Sequence, residues 1–137
     1  MVTPRTYQLH IHLSKAVHLQ VGRLGEFAFP AGEYVYTGSA KRAFEARIAR
    51  HLRREKTLRW HIDYLLAAPG VTVTAVLRSD ADECALNRAT PGDIPVPGFG
   101  ASDCRQGCGS HLKCLGRDRA GEHPGPAGPG QFHLTPS

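Results

Sequence analysis

The sequence predicts an α+β fold, a small antiparallel sheet flanked by helices, in one domain of residues 1–115. Two observations predict the sheet: apolar and polar residues alternate from Tyr7 to Leu13, and a β-branched run lies at Val71–Leu77. A third predicts a helix, because apolar residues recur at helical spacing from about Lys41 to Glu55. The predicted order is β-β-β-α-α-β-α with a short final strand.

The N-terminal third is predicted to be an antiparallel meander. Odd-numbered residues of the first strand are apolar and even-numbered ones are polar, so this strand should be half-buried with His10 and His12 on its polar face. Short apolar pieces at residues 19–22 and 26–29 predict a hairpin, and residues 33–37 predict the strand that follows it.

The first helix is predicted to follow that strand directly. Phe44, Ile48 and Leu52 recur at i, i+4 and i+8, which predicts the stripe packed on the core. At 100° per residue, Arg47 and His51 lie one turn apart along the edge of that stripe. This pair is therefore expected at the border between core and solvent.

The remaining elements are a helix, a strand, a short capped helix and a loop, predicted at residues 58–68, 71–77, 83–89 and 91–100. In the first of these, Trp60 and Tyr64 are expected to pack in the core, and Asp63 to pair with a neighbouring arginine. Residues 116–137 are rich in Gly and Pro, which predicts a disordered tail.

Positive charge is concentrated in one stretch of the chain. The formal net charge is +5, and the segment from Lys41 to Arg59 holds eight Lys and Arg against two Glu, a net +6. Such a concentration on one helix is typical of a protein with a polyanionic partner. The alternative is a solvated basic face with no partner.

The chain shows no stretch long enough to span a membrane and no apolar region of a signal peptide near its start. We therefore expect a cytoplasmic protein without a membrane partner. The four cysteines should then be reduced thiols or metal ligands.

Five blocks occur in order along the chain: VGRLG, YVYTGSA, RIARHLRR, WHIDYLL, and PGFGASDC followed by SHL. Together they resemble the GIY-YIG nuclease superfamily, specifically its small prokaryotic branch of Uri-type endonucleases, over Thr6 to about Leu115. The Y-x-G signature corresponds to Tyr36-Thr37-Gly38. The G-x-Y signature corresponds to Arg5-Thr6-Tyr7, where Arg5 replaces the glycine.

The resemblance implies cleavage of DNA phosphodiester bonds with one Mg²⁺ or Mn²⁺ ion. It assigns catalysis to five residues, namely Tyr7, Tyr36, Arg47, His51 and Glu83. Glu83 would hold the metal mostly through water, and Arg47 would clamp the phosphoryl oxygens. The tyrosines would orient or deprotonate the attacking water, which requires a nearby cation because an ordinary phenol has a pKa of about 10. His51 would relay the proton or orient a tyrosine.

These roles require the five side chains to meet in one open pocket beside the basic helix. Taken singly, each has a structural interpretation: tyrosine is favoured on strands, arginine and histidine on a solvated helix edge, and glutamate at a helix N-terminus.

The resemblance also implies contacts to the DNA backbone from the other basic residues. The residues expected to make them are Lys41, Arg42, Arg50, Arg53, Arg54, Lys56 and Arg59, with His61 lining the cleft. Contacts of this kind position a duplex without reading its sequence. A DNA-repair protein is a further expected partner.

A second cluster has the ligand types of a Cys₃His zinc site: Cys104, Cys108, His111 and Cys114. Structural zinc sites usually draw ligands from two separated knuckles, whereas these four lie within eleven residues. The other interpretation is that Ser102, Asp103 and His111 shape the active site and that Cys104 is a small buried residue.

Two rival functions stand beside the endonuclease. One is a non-catalytic nucleic-acid-binding module that keeps the fold and the basic helix. The other is a zinc-stabilised interaction domain.

Overall fold

A computed structural model describes residues 4–40, 42–53, 57–100 and 108–117. The elements in chain order are β1 (Thr6–Leu13), β2 (Val17–Val21), a 3₁₀ turn (Gly22–Leu24), β3 (Gly25–Phe29), β4 (Gly32–Ser39), α1 (Phe44–Leu52), α2 (His61–Leu66), β5 (Val71–Ser79), α3 (Glu83–Ala89) and β6 (Leu112–Arg117). The predicted α+β class is confirmed. Among the described residues, every helix falls short of the length and apolar character that crossing a bilayer requires.

The main sheet has four antiparallel strands in the order β5-β1-β4-β6, and β2 and β3 form a separate two-stranded sheet. The predicted meander is therefore wrong: β1 pairs with β4, from Thr6 opposite Ser39 to Leu13 opposite Gly32. The physical reason is burial. β2 and β3 alternate between exposed and partly buried residues, whereas β1 and β4 are buried along almost their whole length and take the centre of the sheet.

Strand β1 is covered on both faces, so the expectation of a half-buried strand is also wrong. Its odd-numbered residues belong to the hydrophobic core. On the other face Gln8 and His10 are buried, and the Gln8 amide donates to the hydroxyls of Thr37 and Thr90. Thr90 lies at the C-terminal end of α3, so this helix covers the face that the sequence assigned to solvent.

Helix α1 is shorter than predicted. Ala43 precedes it in the left-handed conformation, at φ 52°, and Arg53 after it is extended. Of the predicted stripe, Ile48 is buried and Phe44 packs on the core, but Leu52 is 48% exposed. His51 takes the buried position instead.

Helix α2 begins three residues later than predicted because of Asp63. The Asp63 carboxylate accepts hydrogen bonds from the backbone N–H groups of Arg59 and Trp60. These two residues are therefore not helical, and the helix starts at His61. As predicted, Trp60 and Tyr64 pack against the core.

The C-terminal elements lie close to their predicted places. Strand β5 extends two residues beyond the prediction, and the Asp82 carboxylate caps α3 by accepting from Ala85. Strand β6 runs to Arg117, past the boundary expected between the domain and its tail. The rest of the predicted tail, residues 118–137, lies outside the described residues.

Candidate active site

The site begins where β1 and β4 pair at their ends. Tyr7 lies opposite Gly38, the last residue of the Tyr36-Thr37-Gly38 motif. A Cβ atom on residue 38 would lie 2.6 Å from both the Cζ and the hydroxyl oxygen of Tyr7. Glycine at this position therefore leaves the space that the Tyr7 ring occupies.

The Tyr7 hydroxyl and the Nε2 atom of His51 are 2.6 Å apart and hydrogen-bonded. Helix α1 brings His51 there: the edge of Phe44 packs on the Tyr7 ring at a centroid distance of 5.9 Å, and Ile48 anchors the turn between. His51 is only 2% exposed, so its predicted place at the border of core and solvent is wrong. The phenol satisfies Nε2 of this buried imidazole.

Arg47, one turn before His51, lies where the sequence predicted it, at a partly exposed position. Its Nη1 atom donates to the backbone carbonyl of Ser39 at 3.0 Å. The guanidinium carbon lies 4.8 Å from the ring centroid of Trp60, in a cation–π arrangement. These contacts fix the guanidinium beside the C-terminal end of β4.

Glu83, the first residue of α3, reaches the same end of β4. Its Oε1 accepts from the Ser39 hydroxyl at 2.7 Å, and its Oε2 is 2.9 Å from Nδ1 of His111. Burial alone would raise the pKa of Glu83, but the hydrogen bonds from His111 and Ser39 outweigh it and hold the pKa below its ordinary value. The carboxylate is therefore ionised at neutral pH, and its side chain is 28% exposed.

Ser39 belongs to the candidate site, although the sequence analysis did not single it out. Its backbone carbonyl accepts a hydrogen bond from Arg47 and its hydroxyl donates one to Glu83, so Ser39 bridges the two charged side chains of the site. The available signal was its place directly after the glycine of the Y-x-G motif.

Tyr36 lies on the same face of the sheet as Tyr7. Its ring meets the His51 ring edge-on at 6.1 Å and the Phe99 ring at 6.4 Å. Gly100, at φ +68°, packs so closely that a Cβ there would be 2.9 Å from the Tyr36 ring. Tyr36 is thus held between α1 and the loop before β6.

Burial raises the pKa of Tyr7 and of Tyr36 well above the ordinary value for a phenol, although the positive charge of Arg47 opposes the shift at both. Tyr7 is 2% exposed and Tyr36 is 8% exposed. The expectation that both phenols line an open pocket is contradicted by this burial. Both hydroxyls stay protonated near neutral pH, and that of Tyr7 is engaged with His51.

The predicted DNA contacts divide into three groups. Arg42, Arg53 and Arg59 are exposed, whereas Lys41, Arg54 and Lys56 lie outside the described residues. Arg50 and His61 are engaged within the protein.

Arg50 forms a two-point ion pair with Asp63, at 2.9 and 3.0 Å, and donates to the Thr57 carbonyl. This confirms the predicted pairing of Asp63. His61 accepts the backbone N–H of Gly100 through Nδ1, and burial lowers its pKa, so it is a neutral residue that holds the loop.

The cysteine cluster differs from the one predicted. Ligand atoms of Cys84, Cys108 and His111 lie within 4.8 Å of one another. Cys114 belongs instead to the hydrophobic core on β6. Cys104, with Ser102 and Asp103, lies outside the described residues. Nδ1 of His111 contacts Glu83, so this histidine also adjoins the candidate site.

A family model described as domain of unknown function DUF123 matches residues 6–123. Comparison with curated proteins gives no match, and comparison with solved structures gives none either.

Proposed function

The chain belongs to the DUF123 family, and we propose that it is a divalent-metal-dependent DNA endonuclease whose site resembles that of the GIY-YIG nucleases. The observation that carries the proposal is the convergence of Tyr7, His51, Arg47 and Glu83 on the Gly38-Ser39 end of β4. These side chains come from a strand and two helices. Phosphodiester hydrolysis needs the three things that they supply: a proton acceptor, a fixed cation and an ionised carboxylate.

Arg47 is the group suited to the phosphate. One of its five N–H donors is used on the Ser39 carbonyl, and the planar face rests on Trp60. The remaining donors can bind two non-bridging oxygens at once, as a guanidinium does better than an ammonium. Arg47 would thereby stabilise the charge that develops on the phosphoryl group.

Tyr7 and His51 are suited to moving a proton. Since burial keeps the phenol protonated, Tyr7 is a poor base alone. With Nε2 of His51 at 2.6 Å, the phenol would accept a proton from the attacking water while it passes its own to the imidazole, and this step requires DNA binding to give water access to the hydroxyl, which is buried in the free protein. Tyr36, whose ring packs edge-on against His51, would hold the imidazole in place.

Glu83 is the residue suited to a divalent cation. It is ionised and partly exposed, and Mg²⁺ and Mn²⁺ prefer oxygen ligands. Among the described residues, one group of three His, Cys, Asp or Glu side chains could hold a metal, and Glu83 is not part of it. An ion bound at Glu83 would therefore take most of its ligands from water and from oxygens of the substrate. The ion would stabilise the leaving oxygen as a Lewis acid.

The burial of Tyr7 and Tyr36 favours a second candidate function, a nucleic-acid-binding module without catalysis. In that case the Tyr7–His51 and Glu83–His111 hydrogen bonds would be structural. The basic residues would still bind the backbone of DNA.

The test is a cleavage assay with single-stranded, duplex, flap and bubble DNA in Mg²⁺ or Mn²⁺. We expect metal-dependent nicking by the wild type. Glu83→Gln, Arg47→Lys and Tyr7→Phe should each lower the rate by about 100-fold or more, because each keeps the size of the side chain and removes one chemical function.

Glu26→Gln is the matched control, since Glu26 is an exposed carboxylate on β3. It should cleave at the wild-type rate. Equal nicking by all of these proteins would identify a contaminating nuclease and overturn the proposal. DNA binding without cleavage by the wild type, unchanged in Glu83→Gln, would establish the binding module instead.

A further inference from the structure

The group of Cys84, Cys108 and His111 lies outside the catalytic chemistry proposed above. We propose that these three side chains form a zinc site. Two thiolates and one imidazole are the ligand set that zinc takes in proteins, and soft sulfur ligands disfavour Mg²⁺ and Ca²⁺. Cys84 lies more than twenty positions before the other two ligands, so the spacing of residues in the sequence does not connect it with them.

The three ligands come from parts of the chain that are held firmly. Cys84 is the second residue of α3. His111 is fixed by its backbone, which donates to Phe99 at 2.8 Å and accepts from Thr37 of β4 at 2.9 Å. Gly109, at φ +81°, turns the chain between Cys108 and His111, and its carbonyl accepts from Gly98.

The contact between His111 and Glu83 prepares the histidine for a metal. When Nδ1 donates its hydrogen to the Glu83 carboxylate, the lone pair of the imidazole lies on Nε2. Histidines that bind zinc usually donate the N–H of their other ring nitrogen to a carboxylate or a carbonyl. This hydrogen bond fixes the tautomer of the imidazole and raises the basicity of the nitrogen that binds the metal. Glu83 would hold the ligand without binding the zinc.

The distances and burial fit the ion. With Zn–S bonds of about 2.3 Å and Zn–N bonds of about 2.1 Å, tetrahedral ligand atoms lie roughly 3.5–3.8 Å apart. The three atoms here lie within 4.8 Å of one another, so contraction by about 1.3 Å at most brings them to these distances. Cys84 and His111 are buried and Cys108 is partly exposed, which leaves one side of the group open for a fourth ligand.

The site would tie α3 to the segment that precedes β6. Because Glu83 directly precedes Cys84 and contacts His111, zinc would also fix the position of the carboxylate in the candidate active site. Zinc binding should therefore stabilise the fold, whether or not the chain cleaves DNA.

The experiment measures zinc in the whole protein, purified under reducing conditions without chelator. We expect about one zinc per chain by elemental analysis. Replacing zinc by Co²⁺ should give a thiolate-to-metal charge-transfer absorption. Cys84→Ser and Cys108→Ser should both lose the zinc and that absorption, and chelator should lower the melting temperature of the wild type but not of these variants.

Cys114→Ser is the matched control, because Cys114 is a buried thiol that lies outside the group. It should retain the zinc and the cobalt absorption. A wild type that binds neither metal, or a Cys84→Ser/Cys108→Ser double variant that keeps its zinc, would overturn the proposal. If the serine variants fail to fold, the effect of chelator on the wild-type melting temperature decides, and no shift counts against the site. Zinc content is measured without DNA, so either proposal can fail without the other.

Discussion

Single residues decide how the candidate site is built, and Gly38 shows this most directly. Its missing side chain leaves the volume that the Tyr7 phenol fills. The ring is buried and hydrogen-bonded to His51, so it cannot move aside without breaking that contact. A glycine in a strand usually weakens the strand, and here the close approach of the phenol accounts for it.

We expect Gly38→Ala to lower the free energy of unfolding by roughly 1–3 kcal/mol, the usual cost of an added methyl group in a well-packed interior. If the proposed mechanism holds, it should also lower cleavage, because the phenol is displaced from His51. Gly116→Ala on β6 is the control: a Cβ there meets nothing within 4 Å. Denaturant unfolding of both variants provides the measurement. Equal stability of the two would show that the Tyr7 ring does not fill this space.

Elements whose pattern is local were predicted well from the sequence. β1, the β2–β3 hairpin, β5 and α3 follow from periodicity and capping within a few residues. The pairing of β1 with β4 joins residues that are distant in the chain, from Leu13 with Gly32 to Thr6 with Ser39, and periodicity carries no information about such a partner.

The candidate site shows the same division. Tyr7, Arg47 and Glu83 converge on the end of β4, but Tyr7 and Tyr36 are buried, whereas the family resemblance implied an open pocket. The burial of His51 could not be predicted from the helical periodicity of α1. That periodicity places the polar His51 at the edge of the apolar stripe, whereas its partner Tyr7 lies on another element, β1. Cys84 was missed for the same reason: its partners are distant in the chain.

At the scale of elements, the Arg50–Asp63 ion pair joins α1 to the start of α2. Burial alone would raise the pKa of Asp63, but its hydrogen bonds to Arg50 and to the backbone of Trp60 and Arg59 outweigh it, and the pKa lies below the ordinary value. The folded chain therefore holds the carboxylate ionised more strongly than the unfolded chain does.

We expect this pair to make stability depend on pH. Its contribution should be complete above the ordinary pKa of about 3.8 and be lost as the pH falls through the lower folded value. Asp63→Asn should cost about 3 kcal/mol near neutral pH, because it leaves Arg50 without its charge partner, and should remove this dependence. Urea unfolding at several pH values from about 6 to about 2 measures both effects.

The exposed Glu45–Arg78 pair provides the control, since both side chains lie largely in solvent. Glu45→Gln should leave stability and its pH dependence close to wild type. A pH dependence that persists in Asp63→Asn would assign the effect to other carboxylates.

For the whole molecule, the charge concentrated between Lys41 and Arg59 is only partly available to a partner. Arg50 forms an ion pair with Asp63. The guanidinium carbons of Arg47, Arg50 and Arg59 lie 4.8, 4.3 and 5.9 Å from the centroid of the Trp60 ring. The exposed charge that remains among the described residues of this stretch is carried by Arg42, Arg53 and Arg59.

We therefore expect these exposed arginines, and not Arg50, to set the salt dependence of DNA binding. Each phosphate contact releases counterions and adds about 0.9 to the slope of log K against log salt for duplex DNA. Arg53→Gln and Arg59→Gln should each lower this slope by about 0.9 and weaken binding equally for all sequences. Fluorescence anisotropy of a labelled duplex at several salt concentrations gives the slope.

Lys15→Gln removes the same charge two residues beyond the other end of β1, and the strand from Tyr7 to Leu13 alone spans roughly 20 Å. It should leave the slope unchanged. If Lys15→Gln lowers the slope as much as Arg53→Gln does, binding follows the net charge of the molecule, and the segment between α1 and α2 is not the contact surface. If only the arginine variants lower it, the duplex contacts this segment, which directly follows the helix that carries Arg47 and His51 to the candidate site.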